Sequence, residues 1–198
     1  MRIGKKSIFG IAFLCGLVGV LGASYLGRPQ SQQSTAPPQR FHSAPTSALR
    51  FDDGIYVTQQ LAESDVASFR KQGFATLIDI RPDGEAPDQP PSAAMRSKAQ
   101  ANQMRFSYIP VPHGEIPASA VIALADAIDR SPRPILLYCR SGRRAARSLS
   151  LYEASRSDGP SATTILAMAR SAGQSADDLK DEIDRRIAHR GHGKGEQR

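Results

Sequence analysis

Cys139 and Arg144 stand at the two ends of "CRSGRR", directly after the apolar run "PILLY" of residues 134–138. A cysteine, once ionised, is a strong nucleophile. A guanidinium is a planar fork that grips an oxyanion by two parallel bonds. Between them, Ser141 and Gly142 can turn tightly, and a helix is expected to begin at Arg143 or Arg144. In open α/β sheets, ligands bind beyond the carboxyl ends of the strands, where the following helices start. The N–H groups of such a loop form an anion nest beside a positive helix end, and that field favours a thiolate. The stretch therefore offers a nucleophile at Cys139, a cradle made of Arg140, Ser141, Gly142 and Arg143, and a fixed cation at Arg144. Arg143 is expected at the rim. Arg147, nearly one helical turn past Arg144, is expected to act as a second rim charge.

The elements that must hold this loop show as an alternation of strand and helix patterns. Residues 54–59, 74–80, 106–111 and 134–139 are apolar or β-branched runs of strand length, and 74–80 is almost continuously apolar, as for a strand covered on both faces. Helical spacing appears over 63–73, with Val66 and Phe69 on one face and Gly73 as the stop. It recurs over 91–103, and over 117–130 with apolar residues at 121, 124, 125 and 128. Three more helices are expected over 143–155, 161–172 and 176–189, the last capped by Ser175. Such alternation predicts an α/β, three-layer sandwich around a central, mostly parallel sheet of four or five strands.

The chain has 198 residues and a net charge of +7, which invites a nucleic-acid reading. The charge is an end effect. Residues 1–48 hold five basic and no acidic residues, whereas the remainder has 21 basic and 19 acidic ones, so no nucleic-acid partner is expected. Arg2, Lys5 and Lys6 precede the uncharged run Ile8–Leu26, which reads as a signal-anchor or transmembrane segment over 1–26. The small residues Gly22, Ala23 and Ser24 leave cleavage of a signal open. The positive-inside rule then places the domain on the periplasmic side of an inner membrane. Residues 27–48, rich in Pro, Ser and Gln, read as a disordered tether, 49–189 as the folded domain and 190–198 as a disordered tail. Beyond the membrane segment the only cysteine is Cys139, so it has no disulfide partner within the domain.

At "CRSGRR" the sequence resembles two groups of cysteine enzymes: the protein tyrosine phosphatase superfamily, with its Cys-x5-Arg or shorter Cys-x4-Arg loop, and the rhodanese sulfurtransferases. Cys139 to Arg144 is Cys-x4-Arg, and "LIDIRPDGE" at 77–85 suits either group. "IYVTQQLAESDVASFRKQGFATLIDIRPDGEAPDQP", "FSYIPV" and "PILLYCRSGRRA" together resemble the beta-lactamase-hydrolase-like phosphatase family, a bacterial branch of the tyrosine/dual-specificity phosphatase fold. The resemblance covers about residues 50–175. It implies a phosphorylated substrate and a phosphocysteine intermediate on Cys139, with Arg144 and the loop amides holding the phosphoryl oxygens and no metal or other cofactor. It also implies a general acid in the loop after "YIPV", where His113 and Glu115 stand; Asp83 and Glu85, from another strand-end loop, are further options, and Arg81 and Glu85 could instead brace the phosphate loop through an ion pair. Tyr138 replaces the histidine usual before the cysteine, and Ala145 the Ser or Thr usual after the arginine. Two alternatives stay open: a sulfurtransferase using a Cys139 persulfide, and a weakly catalytic phosphate-binding module.

Overall fold

The structure, a computed structural model, describes residues 47–190. The expected membrane segment, all but the last two residues of the expected tether, and the tail from residue 191 lie outside the described residues. Among the described residues, no helix is long and apolar enough to cross a membrane.

The chain runs β1 (Leu49–Asp52), β2 (Ile55–Thr58), α1 (Asp65–Lys71), β3 (Thr76–Asp79), α2 (Ser92–Ala101) and β4 (Arg105–Tyr108). It continues with α3 (Ala118–Asp129), β5 (Ile135–Tyr138), α4 (Arg143–Ser155), α5 (Ala162–Ser171), a 3-10 turn (Asp177–Leu179) and α6 (Lys180–His189). The five strands form one sheet in the order β1-β2-β5-β3-β4. β1 is antiparallel to β2, and the other pairs are parallel. β5 lies at the centre, with Tyr138 in register with Thr58 on one side and Asp79 on the other.

The period-2 alternation of a strand divides the core in two. Ile135, Leu137 and Cys139 face the larger core with Ile55, Val57, Ile78, Leu124, Leu149 and Ile183. Leu136 and Tyr138 face the smaller one with Leu77, Val66, Phe69, Phe74, Met95 and Phe106. Both faces of the sheet are thus covered, giving the three layers expected. In the smaller core, edge-to-face contacts join Phe74 to Tyr56 and to Phe69.

Two elements differ from the pattern reading. β1 was not among the expected strands: "LRFD" has only Phe51 buried, and its pairing depends on the tight connection through Gly54, which has φ +66°. The last helix does not begin at 176. Ser175 Oγ accepts from the Asp177 N–H and so fixes a 3-10 turn, and α6 starts only at Lys180. The hydrogen bond local to Ser175 closes a turn instead of capping a helix.

Helix α4 is covered almost all round, because it packs on α3, α5 and α6 as well as on the sheet. Ala145, Ala146, Ser148, Ser150 and Ala154 allow that close approach; they are small instead of strongly apolar, so hydropathy alone understates their burial. Its carboxyl end is closed by Arg190. That guanidinium donates to the carbonyls of Glu153, Ala154, Gly159 and Pro160, satisfying acceptors a helix end leaves open. Gly159 sits so close beneath this cap that a β-carbon there would strike the Glu153 carbonyl oxygen and the Arg190 guanidinium. Gly159→Ala should therefore lower stability by about 1–3 kcal/mol through forced backbone displacement. Chemical denaturation measures this, and an unchanged midpoint would contradict the packing described.

Candidate active site

The chain leaves β5 at Tyr138, and Cys139 follows directly, buried at the carboxyl end of the sheet. Gly142 occupies the N-cap of α4 with φ +89°, a left-handed conformation that favours glycine. A β-carbon at that position would stand 3.0 Å from Gln174 Nε2 and 3.2 Å from the Val57 side chain. This turn brings the Gly142 N–H to 3.2 Å from Cys139 Sγ, where it donates to the sulfur. The carbonyls on the outer side of the loop are taken elsewhere: Arg140 O accepts from the Gln60 N–H and Ser141 O from Gln174 Nε2. With those carbonyls turned outward, the loop amides and the start of α4 are left for an anion.

Arg144 is held by a carboxylate from another loop. Its Nη1 stands 2.8 Å from Glu85 Oε1 and donates to the Val111 carbonyl at 2.6 Å, while Nη2 donates to Glu85 Oε2 at 3.2 Å. Glu85 also accepts from Arg81 Nε at 3.0 Å, and Arg81 Nη1 donates to Gln60 Oε1. All three charged side chains are largely shielded, at 5% exposure for Arg81, 8% for Arg144 and 14% for Glu85. Burial works against the ionised form of Glu85, but the Arg144 and Arg81 guanidiniums outweigh it and hold its carboxyl below the usual range. The bracing of the loop by Arg81 and Glu85 is thus present as an ion-paired network. Nε of Arg144 is not engaged in it and remains available to a ligand.

A cavity of about 560 Å³ opens over the loop, lined by His113, Gly114, Cys139, Arg140, Ser141, Arg143, Arg144, Arg147 and Asp178. Of the residues singled out in the sequence, Cys139, Arg140, Ser141, Arg143, Arg144 and His113 line it, whereas Gly142, at the N-cap of α4, does not. Glu115 is exposed and does not line the cavity. Asp83 is occupied: its carboxylate accepts from the Ser92 N–H and hydroxyl, both at 2.7 Å, at the start of α2. His113 Nε2 lies 3.8 Å from Glu85 Oε2.

Arg147 is not a rim charge. Its side chain is 15% exposed against 61% for Arg143, and it forms a strut between two walls of the cavity. Nη1 donates to the Gly114 carbonyl at 3.1 Å, and Nη2 meets Asp178 Oδ2 at 2.8 Å. Asp178 and Gln174 escaped the sequence reading because they come from the segment between α5 and α6, more than thirty residues away. No local spacing signals that contact. A second cavity of about 540 Å³, between α3 and the end of α4, has no cysteine in its lining, and its Arg156 and Asp158 are bonded to each other. Among the described residues, no three of His, Cys, Asp and Glu converge to hold a metal ion.

Beneath the loop lies a buried acid. Asp79 ends β3 beside Tyr138, and its Oδ1 accepts the Arg81 N–H at 2.9 Å. Burial pushes the Asp79 carboxyl up to about 6 despite that bond and the nearby Tyr138 hydroxyl. Burial and the Asp79 charge raise the Tyr138 phenol as well. The Tyr138 hydroxyl is shut off from solvent without a partner at full hydrogen-bond geometry, so its interaction with Asp79 is mainly electrostatic.

Comparison with known proteins matches the chain, over residues 49–156, to the family described as "Beta-lactamase hydrolase-like protein, phosphatase-like domain". A curated relative, the beta-lactamase hydrolase-like protein of Agrobacterium fabrum, is 32% identical over 105 residues, which are 53% of this chain and 24% of that protein. The chain thus spans about a quarter of the length of the curated relatives it matches. Among solved structures, a candidate phosphatase of Neisseria meningitidis aligns with 26% identity and a TM-score of 0.62 over 70% of this chain and 96% of that one. Tk-PTP in its active form aligns with 16% identity and a TM-score of 0.57, over 73% and 97% of the two chains. The latter likeness is one of fold.

The buried acid makes a pH-dependent expectation. A carboxyl whose folded value is raised from 3.8 to about 6 contributes most to stability below the unfolded value, and that contribution is lost as pH rises through 6. Asp79→Asn keeps an acceptor for the Arg81 N–H but cannot ionise. Its stability relative to the unaltered protein should rise by roughly 2 kcal/mol between pH 4.5 and pH 7.5. Paired urea titrations across this range test it; a constant difference between the two proteins would mean that Asp79 is not desolvated.

Proposed function

Because the chain belongs to the beta-lactamase hydrolase-like phosphatase-like domain family, whose structural neighbours are phosphatases of the tyrosine/dual-specificity-like fold, we propose that it is a cysteine-dependent phosphoric monoester hydrolase. The observation that carries this reading is the Cys139 loop itself. A buried sulfur receives a backbone N–H across a left-handed glycine, and a braced arginine closes the far side.

In this reading the Cys139 thiolate attacks phosphorus, forming the S–P bond as the bond to the ester oxygen breaks. The loop amides and Arg144 bind the three equatorial oxygens, where charge accumulates. The departing oxygen takes a proton from a general acid. His113 fits that role best, since it lines the cavity whereas Glu115 does not and Asp83 is bonded to Ser92. Water then attacks phosphorus, the S–P bond breaks, and phosphate leaves. Glu85 acts as a positioning residue, holding the Arg144 fork in plane without touching the substrate. The substrate would be a phosphorylated protein or small molecule.

Turnover of an aryl phosphate by the purified full-length protein tests the proposal. Release should be sensitive to vanadate and abolished in Cys139→Ser. Arg144→Lys should lower turnover about 100-fold or more, because a point charge cannot reproduce the bidentate fork. Thiocyanate formed from thiosulfate and cyanide would point to sulfur transfer instead. Phosphate binding without any turnover would leave a binding module.

We also propose that the domain sits outside the inner membrane on the tether of residues 27–48. The support is the basic start and uncharged run of residues 1–26. Protease added to spheroplasts should digest the domain, and full protection would reject this orientation.

A further inference from the structure

Two of the arginines lining the cavity carry the same carboxylate. Asp178 Oδ2 is 2.8 Å from Arg147 Nη2, and Asp178 Oδ1 is 3.7 Å from Arg143 Nη2. Arg143 and Arg147 lie four residues apart on α4, hence on one face of the helix. With Asp178 they line the same cavity as Cys139. Arg147 is held in orientation by the Gly114 carbonyl, and its Nε is shut off from solvent without a partner. The cation pair is thus built into the wall, and what it holds at present is a side chain.

That side chain is displaceable. Asp178 is 44% exposed and belongs to a 3-10 turn with no buried residue. The turn has other anchors: Gln174 Nε2 bonds the Ser141 carbonyl at 3.1 Å, Arg170 pairs with Asp177 at 2.6 Å, and Ser175 bonds Asp177. The carboxylate is open to water, which screens its pairing with both guanidiniums, and the contact with the exposed Arg143 is the weaker of the two. A phosphoryl group, with more charge and three acceptor oxygens, competes well for two guanidinium forks.

We infer that Arg143 and Arg147 form a second anion subsite, occupied by Asp178 until a substrate bearing a second phosphate or equivalent oxyanion displaces it. The substrates favoured are accordingly bis-anionic, with one phosphoryl group over Cys139 and the other at the base of α4. The inference rests on the reading of the Cys139 loop as the site of the reacting phosphate.

The test is calorimetric binding of the mono- and bisphosphate esters of butanediol to the full-length chain carrying Cys139→Ser, which holds ligand without consuming it. The bisphosphate should bind about tenfold more tightly, as two charge-assisted forks are added. Arg143→Ala, at an exposed position, should bring the ratio of the two affinities close to one. Asp178→Asn should raise that ratio about threefold or more by removing the internal competitor. A ratio near one in the Cys139→Ser chain, a ratio untouched by Arg143→Ala, or a ratio lowered by Asp178→Asn would each overturn the subsite. Hydrolysis of aryl phosphate with a ratio near one removes the subsite alone. A high ratio without any hydrolysis removes the phosphatase reading and leaves the subsite standing.

Discussion

The site depends on one carboxylate shared by two buried guanidiniums. Arg81 and Arg144 are both withdrawn from water, and an uncompensated charge in such a place would be costly. Glu85 meets both, with Gln60 and the Val111 carbonyl each taking one further donor. The loops after β2, β3, β4 and β5 are thereby tied to a single point. Each loop comes from a different strand end, so the ordering of the sheet becomes the ordering of the pocket. The cost of burying three charges is offset by placing the Arg144 fork before any ligand arrives, which avoids an entropic loss on binding.

Much of this was legible in the chain. Tyr138 and Cys139 are placed by the apolar run before them, because a short continuous run of that kind suits a strand covered on both faces. Gly142 is placed by the need for a tight reversal between strand and helix, and the structure puts it in the left-handed region. The convergence of Cys139, the turn after it and Arg144 on one cavity was therefore readable from spacing. The pairing of Arg81 with Glu85 was visible as a possibility, since both lie in the one loop after β3.

What was hidden depends on contacts distant in sequence or on burial that composition disguises. Asp178 and Gln174 reach the loop through the packing of α5 and α6 on α4. Arg147 reads as a surface charge by its type and becomes a strut only because Gly114 and Asp178 converge on it. Asp83 has the residue type of a proton donor, but the start of α2 claims its carboxylate. β1 is too short and too exposed to announce itself, and its pairing follows from the turn at Gly54 more than from its own pattern.

The direction of that first strand has a practical side. β1 is the antiparallel member of the sheet, so it starts at the end where the parallel strands finish: Leu49 pairs with Val57, and the Ser47 carbonyl is bonded by Thr58, two residues before Gln60. Ser47 therefore lies at the carboxyl end of the parallel strands, the end that carries the Cys139 loop. The other described end lies far off, since Arg190 is fastened to the last turn of α4, about 18 Å along the helix that begins at the loop. In a chain shortened to start at Ser47, a handle fused to the front would sit at the end of the sheet that carries the Cys139 loop, whereas one fused after Arg190 would sit at the opposite end of α4.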